Sequence, residues 1–212
     1  MIAASVTTLR TLLAEKADLS AIAEHLDGLD PLAREHQANG LSGAEQRRLW
    51  DVAADGPRIE LDHFVPRHLD ALVPVHHPGR NTIPTVVSYF QRFQKRFTRP
   101  RGESARLFGY NVSNASFVHP GYFVAYSTAG HSDAWRARGG VVVDYWMVPD
   151  DEVPAVWPPV VDNAVGLQQL VYHRTRDFMR KVSQHVSIGR ASKEDAGGDH
   201  ELDFWFTLCR QD

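Results

Sequence analysis

The sequence predicts an α+β fold, in which a helical N-terminal region precedes a mostly antiparallel sheet of about five strands covered by one long helix. Apolar residues recur at helical spacing through the first third of the 212 residues. Aromatic and β-branched segments follow Gly102, and their connections are too short for helical crossovers. We therefore expect residues 1–54 to form the helical region and residues 55–212 the sheet domain, packed as a single globular unit.

The N-terminal region carries two apolar stripes and two signals for the start of a helix. The stripes are Leu9, Leu12 and Leu13, and then Leu19, Ile22, Ala23 and Leu26. Asp30 followed by Pro31 is a good N-cap with proline at the first helical position. Ser42 and Glu45 have the spacing of a capping box, in which each side chain accepts from a backbone amide at the other residue.

Residues 83–98 are expected to form a basic amphipathic helix that ends before Pro100. Phe90, Phe93 and Phe97 fall at positions i, i+3 and i+7, which places them on one helix face. The β-branched run at residues 85–87 favours a strand instead, but strict alternation fails at residues 90–93. The helix interpretation therefore has the better fit.

Strands are predicted where β-branched and aromatic residues cluster between loops rich in glycine, proline and serine. The segments are residues 107–112, 122–127, 141–148, 185–191 and 201–209. A long helix is expected over residues 163–184, where it would cover the sheet. At about 100° per residue, Arg174 lies near one border of the apolar stripe of this helix. Its head is therefore expected to reach a carboxylate or the mouth of a pocket.

Composition narrows the classes of function. The net charge of −3 gives the molecule no overall attraction to nucleic acid, so such a partner is not expected. No window approaches the roughly 18 apolar residues of a membrane span. The first residues lack the basic start and the apolar run of a secretory signal, and Cys209 is the single cysteine. The expected location is the cytoplasm.

Motifs for common cofactors are missing from the sequence. It contains neither the glycine-rich dinucleotide fingerprint nor the phosphate loop, and no HExxH or CxxC metal motif. His76 and His77 are adjacent and point apart on a strand, so they would need distant partners to hold a metal ion. We expect no cofactor and no metal site.

Asp144 is the most informative candidate for chemistry because it interrupts the apolar run VVVDYW. A carboxylate among such neighbours must be paired, protonated or exposed to solvent, and Arg174 is its natural partner. Such a pair could be structural, or it could bind and polarise a substrate. His119, in a loop with two serines, is the second candidate for an acid or base. Tyr145, Trp146 and Tyr122 are candidate ligand contacts together with Arg174.

Two functions from different classes remain open. The first is a soluble small-molecule-binding protein, with the question of enzymatic activity left open. Its chemistry would be proton transfer or hydrolysis on an anionic or aromatic substrate, with Asp144 or His119 as catalytic groups. The second is a protein-interaction module that docks an acidic partner through Arg92, Lys95 and Arg96 on the basic helix. Nucleic-acid binding through the same cations is a distant third.

Overall fold

The chain forms a closed antiparallel β-barrel, not the predicted α+β fold. A computed structural model describes residues 7–83, 91–102, 105–113, 120–166, 169 and 172–211. Within these residues, eight strands pair with their neighbours in chain order, and the first strand pairs with the last. All eight pairings are antiparallel. The expected sheet of about five strands under a long helix is therefore wrong.

The strands follow one another around the barrel as an up-and-down meander. They are β1 Val75–Asn81, β2 Arg92–Thr98, β3 Arg106–Ser113, β4 Gly121–Ser127, β5 Val141–Asp144, β6 Thr175–Lys181, β7 Val186–Asp195 and β8 Gly198–Cys209. Closure comes from β1 and β8, where Gly79 lies opposite Leu208 and Asn81 opposite Phe206. A methyl group at Gly79 would lie 2.5 Å from the Thr207 carbonyl oxygen, so glycine allows the two edges to meet.

Both helices predicted within the sheet domain are corrected where the structure describes them. Residues 92–98 of the expected helix over 83–98 form β2, while residues 84–90 lie outside the described part of the chain. Residues 175–181 of the expected helix over 163–184 form β6. Arg174 precedes β6 with φ at +62°, a left-handed conformation that an α-helix does not accommodate. The four-residue spacing from Phe93 to Phe97 fits one face of a helix, but it fits one face of a strand equally well.

Short helices pack on the outside of the barrel. They are α1 Leu9–Ala14, α2 Leu19–Asp27, α3 Pro31–Ala38, α4 Gly43–Val52 and α5 Asp133–Arg138. Asp30 caps α3 and the capping box of Ser42 and Glu45 opens α4, as the sequence predicts. Helices α3 and α4 contact β8, and α4 also contacts β7. Of the helices in the described residues, none combines the length and apolarity that crossing a membrane requires.

Alternating residues divide each strand between the interior and the outer wall. The outer residues Phe178, Ile188 and Trp205 join the apolar cluster beneath α1 to α4. The neighbouring inner residues form a second cluster that lines the barrel interior, and its members include Phe97, Phe123, Tyr145, Met179, Phe206 and Leu208. Phe64 and Val65, which precede β1, belong to the same inner cluster and are fully buried. They close the end of the barrel where β1 begins, and this end is called the base below.

Glycines on the inner face make room for the aromatic rings of neighbouring strands. A Cβ atom added at Gly109 of β3 would lie 2.3 Å from the Phe123 ring and 2.5 Å from the Arg96 carbonyl oxygen. Gly189 of β7 has a similar relation to the Phe206 ring, at 2.2 Å. Side chains are close-packed around these two glycines, so the rings occupy volume that a larger side chain on the adjacent strand would need.

Gly109→Ala is expected to destabilise the protein by about 1–3 kcal/mol, because the added methyl group overpacks the interior against a ring and a backbone oxygen. Urea denaturation followed by circular dichroism would measure the change. The matched control is Gly130→Ala, since a Cβ atom there meets nothing within 4 Å. Equal stability of the two variants would contradict this account of the interior.

Candidate functional site

A buried ion pair spans the barrel interior. The Lys95 ammonium of β2 donates to Asp177 Oδ2 of β6 at 2.9 Å and also donates to the phenol oxygen of Tyr145. The side chain of Lys95 is 1% exposed and that of Asp177 is 10% exposed. A charged pair so far from solvent is uncommon in a barrel of this size, where apolar side chains can fill the interior.

The strand pattern places these three groups together. Phe93, Lys95 and Phe97 alternate with outward residues along β2, so the lysine occupies the middle of an inward apolar row. Asp177 takes the corresponding inward position on β6, next to Met179. Tyr145 directly follows β5 and continues its inward row into the barrel.

Four aromatic rings surround the ammonium. Lys95 Nζ lies 5.6 Å from the ring centroid of Phe93, 5.3 Å from that of Phe123, 4.9 Å from that of Tyr145 and 5.0 Å from that of Phe206. Ring faces attract a cation, and the attraction is stronger where water is excluded. The rings therefore compensate part of the hydration that the ammonium loses on burial.

Burial changes the protonation behaviour of the cluster. It lowers the pKa of Lys95, because the desolvated ammonium is disfavoured, while the charge and hydrogen bond of Asp177 oppose this shift. Burial also raises the pKa of Tyr145 well above its usual value, and the Asp177 charge adds to the effect. The cluster thus joins an amine whose proton is held less tightly than usual to a phenol that keeps its proton.

Tyr172 and Asn111 extend the site towards the end opposite the base, which is called the mouth. The ring of Tyr172 stacks on that of Tyr145 with centroids 5.2 Å apart, over the space left by Gly121. Burial raises the pKa of Tyr172 to about 12, although a hydrogen bond from Asn111 acts in the opposite direction. Asn111 Oδ1 is buried and finds no hydrogen-bond partner within the described residues. An acceptor left unsatisfied beside the cluster is unusual, since buried polar atoms are nearly always paired.

The adjacent histidines point to different sides of β1. His77 faces the interior opposite Lys95, and its Nε2 lies 3.0 Å from the Phe64 carbonyl oxygen. Burial lowers its pKa to about 3, so the ring is neutral near neutral pH. His76 lies on the outer wall and is only partly buried. In the described portion of the chain, no group of three or more His, Cys, Asp or Glu side chains is placed to hold a metal ion.

Asp144 lies on the outer wall of the barrel. Its carboxylate accepts from Arg176 Nε at 3.1 Å, from the Tyr126 hydroxyl at 2.7 Å and from the Trp146 backbone amide at 2.9 Å. The guanidinium that pairs with Asp144 is therefore that of Arg176. Arg174 is exposed, and its guanidinium carbon lies 5.5 Å from the centre of the half-exposed Trp146 ring.

The remaining candidate residues are dispersed. Tyr122 is buried against Trp157 on another part of the outer wall, and its hydroxyl donates to the Pro158 carbonyl oxygen. His119 lies outside the described residues. Tyr145 is thus the one member of the predicted set that the described structure places in the interior cluster.

The three cations expected to share a basic face do not do so. Arg92 is exposed, Arg96 donates to Tyr110 on the outer wall, and Lys95 lies inside the barrel. A helix over residues 83–98 places Lys95 on the basic face with Arg92 and Arg96, so the helix interpretation does not identify Lys95 as an interior site residue. Alternation supplied the missing signal, because a lysine between two phenylalanines at two-residue spacing faces their side of a strand.

Asp177→Asn is expected to lower the free energy of unfolding by about 3–5 kcal/mol, because Lys95 loses its counter-charge in a buried site. The double variant Lys95→Met/Asp177→Leu should lose less, since it removes both charges and fills their volume. Urea denaturation of the variants would test this. A double variant as unstable as Asp177→Asn would show that the pair itself contributes the stability.

Stability should also fall as the pH is lowered below about 6.5, the ordinary pKa of histidine. The folded-state pKa of His77, at about 3, lies below this value, so the unfolded chain binds a proton that the folded chain does not. The expected loss is about 1.4 kcal/mol per pH unit for this group. His77→Gln, which retains a donor for the Phe64 carbonyl, should reduce the slope between about pH 6 and pH 5 by a similar amount. An unchanged slope in chemical denaturation would contradict a neutral His77.

Comparison of the chain with family models, with curated proteins and with solved structures finds no match. The function must therefore be inferred from the chemistry of the barrel itself.

Proposed function

We propose that the barrel binds a small molecule in its interior, an aromatic compound bearing a carboxylate or carbonyl group that contacts Lys95. The observation that carries the proposal is the ammonium buried beside a carboxylate and a phenol, within four aromatic rings. Ligand sites are usually lined by apolar and aromatic side chains with a few convergent polar groups, and the barrel interior has such a lining.

The energetic cost of the ion pair supports a role beyond stability. Removing two charges from water costs several kcal/mol per ion before their attraction is counted, and apolar residues of similar volume are often as stabilising. Retaining Lys95 and Asp177 where Met179 and Leu208 are neighbours in the inner cluster thus calls for another benefit. Recognition of a polar group on a ligand would supply it.

The hydrogen-bonding capacity of the cluster indicates which ligand group fits. An ammonium has three donors, and Lys95 uses two of them on Tyr145 and Asp177 among the described residues. A ligand oxygen could accept the third. Asn111 Oδ1 remains available to a ligand donor near the mouth. The aromatic part of the ligand would displace or stack on the rings of Phe93 and Tyr172.

Enzymatic activity, if present, would be proton transfer next to a carbonyl group. Lys95 would stabilise the negative charge that develops on the ligand oxygen, as donors in a water-poor site do effectively. Asp177 would accept the proton, and Tyr145 would hold its own proton as a second donor. Hydrolysis remains the alternative reaction for the same groups.

The second hypothesis, docking of an acidic protein, retains only part of its basis. Arg92 and Arg96 remain outside the barrel, but Lys95 is unavailable to a partner. The hypothesis of nucleic-acid binding has even less support, because the net charge of the chain is −3. A cytoplasmic location belongs to the main proposal, and a chain whose single cysteine, Cys209, is buried is compatible with a reducing compartment.

Aromatic carboxylates such as benzoate and naphthoate should raise the unfolding temperature of the protein, with saturation at one site. At about 100 times the dissociation constant, the stabilisation should reach about 2.7 kcal/mol. Lys95→Met/Asp177→Leu should abolish it, whereas the control Arg92→Met, at an exposed position of β2, should not. Exchange of α-protons in acetophenone, followed by NMR in deuterated water, would test the proton-transfer step. Equal stabilisation of both variants would refute an interior site.

A further inference from the structure

A polar cavity lies at the base of the barrel, at the opposite end from the mouth. Its volume is about 300 Å³, and it forms where the segment before β1 meets the end of β6 and the residues after β8. The charged and polar residues that line it are Arg58, Glu60, Asp62, His63, Lys181, Gln184 and Arg210.

Positive charge predominates in this cavity. Arg58, Lys181 and Arg210 contribute three cations against two carboxylates. One of these carboxylates, Asp62, is ion-paired with Arg67, which is not among the lining residues. Glu60 therefore faces three cations, a balance that favours an anion in the cavity.

Neighbouring groups hold the two guanidiniums in place. Arg58 donates to the Thr128 hydroxyl at 2.5 Å, and Arg210 donates to the His63 carbonyl oxygen at 2.8 Å. The Lys181 ammonium makes no hydrogen bond or ion pair with any of the described residues. The cavity thus combines two anchored guanidiniums, suited to oxyanions, with an ammonium that can move towards a ligand.

His63 provides an independent indication of a ligand. It is 7% exposed, and its Nε2 is buried with no hydrogen-bond partner in the described parts of the chain. Burial lowers the pKa of His63 well below its usual value, and Arg210 and Lys181 lower it further, so the ring is neutral. A neutral ring with hydrogen on Nε2 can donate to an oxyanion without adding a fourth charge.

A second cavity adjoins the first and suggests what the anion is attached to. It has a volume of about 740 Å³ and shares Lys181 and Gln184 with the basal cavity. Its lining includes the apolar side chains of Leu19, Val52 and Val182, beneath the N-terminal helices. An anionic group at Arg58 and Arg210 could therefore carry an apolar chain that continues past Lys181.

We propose that the basal cavity binds the phosphate or carboxylate head of a small amphipathic molecule through Arg58, Lys181 and Arg210, with His63 as a neutral donor. The apolar part of this ligand lies in the adjoining cavity between the helices and the barrel. This site is separate from the interior cluster at Lys95 and does not depend on the function proposed for it.

Titration calorimetry of the full chain with inorganic phosphate, hexyl phosphate and hexanoate, at constant ionic strength, tests this site. Saturable binding at one site per chain is expected, with hexyl phosphate at least tenfold tighter than inorganic phosphate. Hexanoate distinguishes a carboxylate head from a phosphate head, and binding of either amphiphile supports the site. Lys181→Gln and Arg58→Gln should each weaken binding at least tenfold.

The matched control is Lys193→Gln, which removes the same charge at the other end of the β6–β7 pair. It should leave binding unchanged. Circular dichroism of each variant establishes that it folds, and two independent variants protect the test against one that does not. Absence of saturable binding by all three anions would overturn the proposal, as would equal weakening by Lys193→Gln. Equal affinities for hexyl phosphate and inorganic phosphate would overturn the apolar extension.

Discussion

The pairing of β1 with β8 is the constraint on which the rest of the structure depends. Three residue pairs, from Gly79–Leu208 to Asn81–Phe206, convert an open meander into an enclosed volume. Without this seam, the inward faces of β1 and β8 would be exposed to water. Lys95 and Asp177 would then attract each other only weakly, because water screens such pairs effectively. The unusual electrostatics of the interior thus follow from a short stretch of backbone hydrogen bonding.

The enclosed interior also explains why glycines and aromatic residues lie opposite each other on adjacent strands. An eight-stranded barrel has room for the side chains of its own strands or for one small ligand. Gly109 and Gly189 give up volume that Phe123 and Phe206 then occupy, and the same rings surround the Lys95 ammonium. The packing of these rings against the glycines and their arrangement around the Lys95 ammonium are therefore the same structural feature.

The sequence predicts the local elements better than their assembly. Strands at residues 107–112 and 122–127 are confirmed by β3 and β4, and the capping box at Ser42 is confirmed at the start of α4. Hydrophobic periodicity gave the wrong element where apolar residues are four apart, as in Phe93 and Phe97. This spacing places both residues on one face of a helix and also on one face of a strand.

The closure of the barrel could not be predicted from local sequence patterns, for a different reason. Strand β1 contains Pro78 and Gly79, which are typical of loops, and its pairing partner β8 lies at the far end of the sequence. The interior cluster around Lys95 could not be predicted either, because its residues meet only in the correct fold. Asp144 and Tyr145 are adjacent, but they belong to opposite faces of the wall, and only the correct strand phase shows which one meets Lys95.

The order of the strands has a consequence for how the protein folds. The seam joins residues that are distant in sequence, so the loop entropy of nearly the whole barrel must be overcome before it forms. Helices α3 and α4, which are synthesised early, rest on β8, which is synthesised last of the strands. Their apolar faces consequently remain uncovered throughout most of translation, and the aromatic interior stays open during the same period. The growing chain is therefore expected to be most exposed to aggregation just before β8 emerges.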